Sequence, residues 1–352
     1  MAKDQNELNG PDKFATTAIE SINALSFPWQ TRDPFLFCVF HNDPYPKGND
    51  KLGPAASLAG RDIGQDFDPR NGWRMYHGDV VPGFPQHPHR GFETVTIVNQ
   101  GFVDHSDSLG ATARYGAGDV QWLTAGRGIV HAEMFPLVSS DADNPLELFQ
   151  IWLNLPAKDK MVDPHFTMLW EESIPGREVK DAEDRCTQLK TVAGSYDDIK
   201  APSPPPDSWA AAPETNVSIW TIKMEANATW TLPATKPGVS RTLYFYAGSD
   251  LHIGRERIPA NHMVALKADV ALPLRASSTS AELLLLEGRP IQEPVAHYGP
   301  FVMNTRQELQ QAFADYQRTQ FGGWPWANNA PVHARQEGRF AKHVDGRLEK
   351  PV

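Results

Sequence analysis

Apolar positions along this chain fall mostly into short runs of strand length, closed off by Gly, Pro, Asn and Asp, and helical spacing is rare. Residues 34–41 are apolar on both faces, which suits a strand buried on both sides. A strand is expected from Glu93 to Val98, with Asn99-Gln100-Gly101 as a hairpin turn that sends residues 102–105 back. Glycines within 116–119 mark a further turn before a short strand at 120–124, and residues 147–155 alternate well enough to close a barrel. In the second half, strands are predicted at 188–193, 216–224, 242–247, 250–253, 262–267 and 282–286. One amphipathic helix is predicted: Thr305-Arg306-Gln307-Glu308 has the form of a capping box, and Leu309, Ala312, Phe313 and Tyr316 follow at helical spacing.

The remaining segments read as connections. Residues 1–30 are polar and aperiodic, and a peripheral position is expected for them. Residues 42–72 read as a long loop, and residues 156–185 as the link between two domains. The proline-rich stretch 201–207 belongs on the surface, because proline has no N–H for a sheet interior. The tail beyond Gly322, with Trp324, Trp326, His333 and His343, is expected to wrap the surface.

Composition agrees with a strand-and-turn architecture. A chain of 352 residues has room for two domains, and 30 Pro and 26 Gly beside 40% apolar residues favour an all-β fold. The formal net charge of −10 argues against direct nucleic-acid binding, which needs clustered Lys and Arg. The two cysteines, Cys38 and Cys186, form no metal or redox pair motif and read as buried thiols. The N-terminus has no apolar core of signal-peptide type, and no run approaches the length of a membrane span, so a cytoplasmic setting without membrane contact is expected.

The candidate chemistry is concentrated between Pro85 and Glu133. His87-Pro88-His89-Arg90-Gly91-Phe92-Glu93 and His131-Ala132-Glu133 are two clusters of metal-capable side chains. In extended chain, residues two apart share a face, so His87, His89 and Glu93 fall on one side and His131 and Glu133 on another. A lone strand histidine is usually a hydrogen-bonded residue, but burying this many titratable groups together without an ion is costly. Three imidazoles and a carboxylate suit iron, manganese, copper, nickel or zinc rather than calcium or magnesium. By parity alone both Glu93 and Glu133 are admissible carboxylates. His105 is the other histidine placed to assist, set against its reading as an exposed turn residue. His252 and His262 lack ligand spacing, so the second domain is expected to be metal-free.

Residues 87–95 (His-Pro-His-Arg-Gly-Phe-Glu-Thr-Val), 118–134 and 299–305 (Gly-Pro-Phe-Val-Met-Asn-Thr) closely resemble the signatures of the pirin family, a branch of the cupin superfamily. The resemblance runs in order over roughly residues 30 to 320. It implies an all-β bicupin of two β-barrel domains, of the double-stranded β-helix or jelly-roll type, with a short C-terminal helix. The corresponding division is a 1–30 extension, a 31–160 metal-binding barrel, a 161–300 metal-free barrel and a 301–352 helix and tail. The resemblance also implies one Fe(II), other divalent transition metals being possible, on His87, His89, His131 and Glu133. This departs from the general cupin pattern, in which the first-motif carboxylate is the ligand; Glu93 then becomes a residue that orients a ligand or a nearby arginine. The implied activity is that of a quercetin 2,3-dioxygenase on a flavonol, with Glu133 taking the substrate proton and His105 or Glu93 assisting. The alternative is an iron-dependent redox sensor or transcriptional co-regulator that acts through a protein partner.

Overall fold

The computed structural model describes residues 18–352. In chain order the strands are β1 (Ile19–Ala24), β2 (Phe35–Tyr45), β3 (Gly83–His89), β4 (Phe92–Gln100), β5 (Phe102–Asp107), β6 (Thr112–Gly116), β7 (Val120–Thr124), β8 (Ile129–Met134), β9 (Asn144–Asn154) and β10 (His165–Leu169). They continue as β11 (Gly176–Lys180), β12 (Cys186–Ala193), β13 (Ser195–Tyr196), β14 (Ile199–Lys200), β15 (Ser218–Met224), β16 (Thr229–Leu232), β17 (Ser240–Ala247), β18 (Asp250–Ile253), β19 (Glu256–Pro259), β20 (His262–Leu266), β21 (Leu272–Ala276) and β22 (Ala281–Gly288). Last come β23 (Ala296–Tyr298), β24 (Phe301–Met303), helix α1 (Arg306–Thr319), β25 (Phe340–Lys342) and β26 (Leu348–Glu349). The chain divides into two compact units: Phe37–Ser173 with Pro205–Ser208 and Glu293–Val352, and Ile174–Pro204 with Trp209–Gln292 and residues up to Leu36.

The first of these units, which carries the histidine clusters, is built from two sheets with strand orders β10-β7-β4-β9-β2 and β26-β25-β6-β5-β8-β3. Val98, Leu123, Leu148 and Phe166 of one sheet meet Val103, Tyr115 and Ile129 of the other in a single core. Both sheets end in edge strands, so the unit is a jelly-roll-like sandwich rather than a closed barrel. The turn at 99–101 is not the expected hairpin, because β4 and β5 lie in different sheets. Gly101 (φ +80°) turns this corner in space where a Cβ would lie 2.9 Å from the Pro145 carbonyl oxygen.

Residues 293–352 complete this unit. The capping box forms as expected, with Thr305 Oγ1 accepting from the Glu308 N–H and the Glu308 carboxylate accepting from the Thr305 N–H. Leu309 and Ala312 of α1 are buried against Phe301, Met303 and Val130. The tail does more than wrap the surface, since β25 pairs with β6 and extends the sheet.

The other unit faces a seven-stranded sheet, β1-β20-β17-β22-β15-β12-β11, with a four-stranded one, β16-β21-β18-β19. Trp220, Leu243 and Leu285 meet Trp230, Leu251 and Leu274 in its core. Part of the stretch expected at the periphery is therefore a strand: β1 pairs antiparallel with β20. Its side chains are almost all exposed, so backbone hydrogen bonds hold it and no apolar pattern could announce it. Residues 1–17 of that stretch lie outside the described residues. The link read at 156–185 holds β10 of the first unit and β11 of the second. Among the described residues no helix is long and apolar enough to cross a membrane.

Candidate metal centre

Strand β3 is the edge of its sheet, where Pro88 can stand without breaking a ladder on its open side. It pairs with β8 so that His87 lies opposite His131 and Phe84 opposite Glu133, with an irregularity between Phe84 and His87. Strand β5 pairs with the other side of β8 and sets His105 opposite Glu133. Three neighbouring strands thus deliver His87, His89, His131, Glu133 and His105 to one region.

His87, His89 and His131 each offer a ring nitrogen within 4.8 Å of the others. Their ring centroids lie 4.4 Å (His87–His131), 4.8 Å (His87–His89) and 4.9 Å (His89–His131) apart. Nδ1 of His87 faces the Pro85 carbonyl at 2.8 Å, and Nδ1 of His89 faces that of Pro300 at 3.4 Å. A carbonyl only accepts, so each Nδ1 carries the proton and leaves the Nε2 lone pair for a cation. His131 is fully buried, and neither of its ring nitrogens hydrogen-bonds to the protein. Burial holds all three imidazoles below their ordinary range, His87 at about 4, so they are neutral at physiological pH, as metal ligation requires.

Glu133 supplies the negative charge of the region. Its Oε2 is 3.8 Å from His131 Nε2 and accepts from Gln150 Nε2 at 3.1 Å, and its Oε1 lies 3.2 Å from the Thr96 hydroxyl, for whose single proton Gln150 Oε1 competes at 2.5 Å. Burial raises its pKa, and among the described residues no Lys or Arg pairs with it. Three neutral imidazoles with unpaired nitrogens beside a buried carboxylate fit a divalent transition cation, which satisfies both at once.

Glu93 is not at this centre. The backbone turns at Arg90 and Gly91 (φ +86°) between β3 and β4, so strand parity does not carry across from His89 to Glu93. On β4 it is Thr96, of the opposite parity, that reaches Glu133. Glu93 instead accepts from Thr124 Oγ1 at 2.8 Å and Ser208 Oγ at 2.6 Å, and among the described residues it pairs with neither a metal-candidate histidine nor an arginine. Burial raises its pKa from 4.5 to about 7, against the pull of those two hydroxyls. A raised carboxyl contributes stability that is complete below the unfolded-state value and is lost as pH rises through 7. The wild type should therefore lose roughly 3 kcal/mol of stability between pH 4.5 and 8 through this group. Chemical denaturation of Glu93→Gln across that range should show the loss removed, with metal content unchanged.

His105 is not an exposed turn residue. It is fully buried on β5, stacks on Phe166 at 5.2 Å between centroids, lies 5.5 Å from the His131 ring, and its Nε2 is in hydrogen-bond contact with Asp107 Oδ2 at 3.1 Å. Asp104 and Ser106 beside it suggested an exposed turn, but they are themselves buried polar residues. Thr96 was not predicted, although its register opposite Gln150 on β9 follows from the strand pairing. Aromatic rings flank the histidines: Trp152 lies 5.4 Å from His89 and 4.3 Å from Phe92, and Phe84 lies 6.3 Å from His87.

The Pirin family profile matches residues 59–153, and the profile of the Pirin C-terminal cupin domain matches residues 219–322. A Pseudomonas aeruginosa protein named "Putative quercetin 2,3-dioxygenase" is 38% identical over 240 residues, which cover 68% of this chain and 79% of that protein. Human pirin is 33% identical over 269 residues, covering 75% of this chain and 86% of its own length. Among solved structures, a quercetin 2,3-dioxygenase from Acinetobacter baumannii superposes with a TM-score of 0.66 at 26% identity, covering 87% of this chain and 98% of that one.

Proposed function

The chain belongs to the pirin family, and on that premise we propose that it is a non-haem iron dioxygenase acting on flavonols such as quercetin, with His87, His89, His131 and Glu133 as ligands. The observation that carries this reading is the convergence of three neutral imidazoles on one point, with a buried carboxylate beside them. Bound there, Fe(II) or a similar divalent ion supplies Lewis acidity toward a substrate hydroxyl and access to dioxygen chemistry.

The protein's own groups do the rest. Glu133 is the base that takes the proton of the flavonol 3-hydroxyl, a role suited to the buried carboxylate beside the three imidazoles. Gln150 fixes its orientation through a hydrogen bond, with the Thr96 hydroxyl beside it. The Pro85 and Pro300 carbonyls fix the rings of His87 and His89. Trp152 and Phe84 flank the histidines and would border a flat aromatic substrate bound there.

Adding a flavonol to the metal-loaded protein without oxygen should shift its absorption to that of the ionised flavonol. The shift should vanish in metal-free and His87→Ala protein, and admitting oxygen should consume the flavonol. An unchanged spectrum on metal-loaded protein, or an equal shift on metal-free protein, would remove the main support for the enzymatic reading. Full metal loading with no oxygen uptake on a panel of flavonols and catechols would favour the protein-partner alternative.

A further inference from the structure

We propose that Arg90 and Asp315 are positioning residues for the metal centre, through which helix α1 sets how the two histidine motifs meet. The inference rests on the reading of His87, His89 and His131 as metal ligands.

The need follows from where the ligands stand. His89 ends the edge strand β3 and His131 lies within β8, so one cation meets both rings only if these strands keep a fixed spacing. Arg90 follows His89 directly, and its side chain is almost fully buried. Its Nε donates to the Arg127 carbonyl at 2.6 Å, and the Gly91 N–H beside it donates to the Gly126 carbonyl at 2.8 Å. Both carbonyls belong to the turn that leads into β8 and so to His131. The Arg90 backbone works on the other flank. Its N–H faces the Pro300 carbonyl at 3.4 Å, the same oxygen that His89 Nδ1 faces, and its own carbonyl accepts from the Val302 N–H at 3.0 Å. One residue thus joins the turn after His89 to the turn before His131 and to β24.

The helix holds the guanidinium in place. Arg90 Nη1 donates to Asp315 Oδ2 at 2.9 Å, and Arg90 Cζ lies 4.5 Å from the centroid of the Phe321 ring. That ring packs on Gly128, where a Cβ would come within 2.7 Å of it. Hydrogen bonds from Arg90 first, then from Gln311, keep the Asp315 carboxyl at about 2, so it stays charged. A planar fork serves the Arg127 carbonyl through Nε and the Asp315 carboxylate through Nη1. Lysine, with all its donors on one atom, cannot do both.

The test is Co(II) binding to metal-free full-length protein, measured by competition with a chelator and by the ligand-field absorption of the bound ion. Urea denaturation of each metal-free variant runs beside it. Arg90→Lys and Asp315→Ala should bind Co(II) about ten- to a hundredfold more weakly than wild type, with displaced absorption bands as the ligand geometry loosens. Leu146→Ala is the comparator, because it cuts the core of the same unit at the end of β9 away from Phe92. It should lose comparable stability, yet bind Co(II) within about threefold of wild type and with unchanged bands. Arg90 and Asp315 variants that match wild type in affinity and bands, or a Leu146→Ala protein that loses affinity as they do, would overturn the proposal. Wild type that binds no Co(II) would remove the metal centre itself, and this inference with it.

Discussion

His131→Ala protein should emerge from purification without metal and should fail to take it up on reconstitution, while it folds as the wild type does. His131 is the ring that meets both others, at 4.4 Å from His87 and 4.9 Å from His89. It alone of the three has no backbone carbonyl to satisfy it. Removing an outer hydrogen-bond partner costs about ten- to a hundredfold in metal affinity, so removing this imidazole should cost more than a hundredfold. The metal-free fold should tolerate the change. The space left by the ring is unfavourable, but two buried nitrogens without partners are removed with it, each worth about 1–3 kcal/mol. Metal at a hundred times its Kd should raise wild-type stability by about 2.7 kcal/mol and leave the variant unmoved. Glu133→Gln should lie between them, with reduced metal content and a smaller gain. A full equivalent of metal retained by purified His131→Ala would remove His131 from the centre.

His87 with His89, and His131 with Glu133, stood out because each pair lies two apart within one strand, where parity holds, while the choice of Glu133 over Glu93 came from the family resemblance. Glu93 was misplaced by the same rule, because one glycine at positive φ resets parity between His89 and Phe92. The strands of both units were legible where their apolar faces meet a core, as at 216–224 and 282–286. Strands β1, β11 and β26 carry mostly exposed or half-buried side chains, so their pairing leaves little trace in the pattern of apolar residues. His105 was misjudged because Asp104, Ser106 and Asp107 look like a surface turn. Each of them is buried with a specific partner, and a pairing such as Asp104 with Arg114 depends on the register of two strands, which local composition does not give.

Arg114→Ala should destabilise the protein by about 3–5 kcal/mol and release the C-terminal tail. Arg114 on β6 stands opposite Asp104 on β5 and grips it with two bonds of 2.7 Å, both side chains being buried. Its remaining hydrogens donate to the carbonyls of His333, Ala334 and Glu337, at 3.0, 2.7 and 2.9 Å. The His333 N–H in turn donates to Asp104 at 2.8 Å. One guanidinium thus pairs a buried carboxylate and ties down the segment that leads into β25. Truncation leaves the Asp104 carboxylate buried with no countercharge, which costs far more than the intact pair contributes. Denaturation by urea measures the first effect, and limited proteolysis between residues 330 and 340 measures the second. The double variant Asp104→Leu/Arg114→Met separates them. With both charges replaced by apolar groups most of the stability should return, yet the carbonyls of residues 333–337 still lack their donor and the tail should stay cleavable. A double variant with a fully protected tail would mean that β25 pairing alone holds the segment, and that Arg114 serves only to neutralise Asp104.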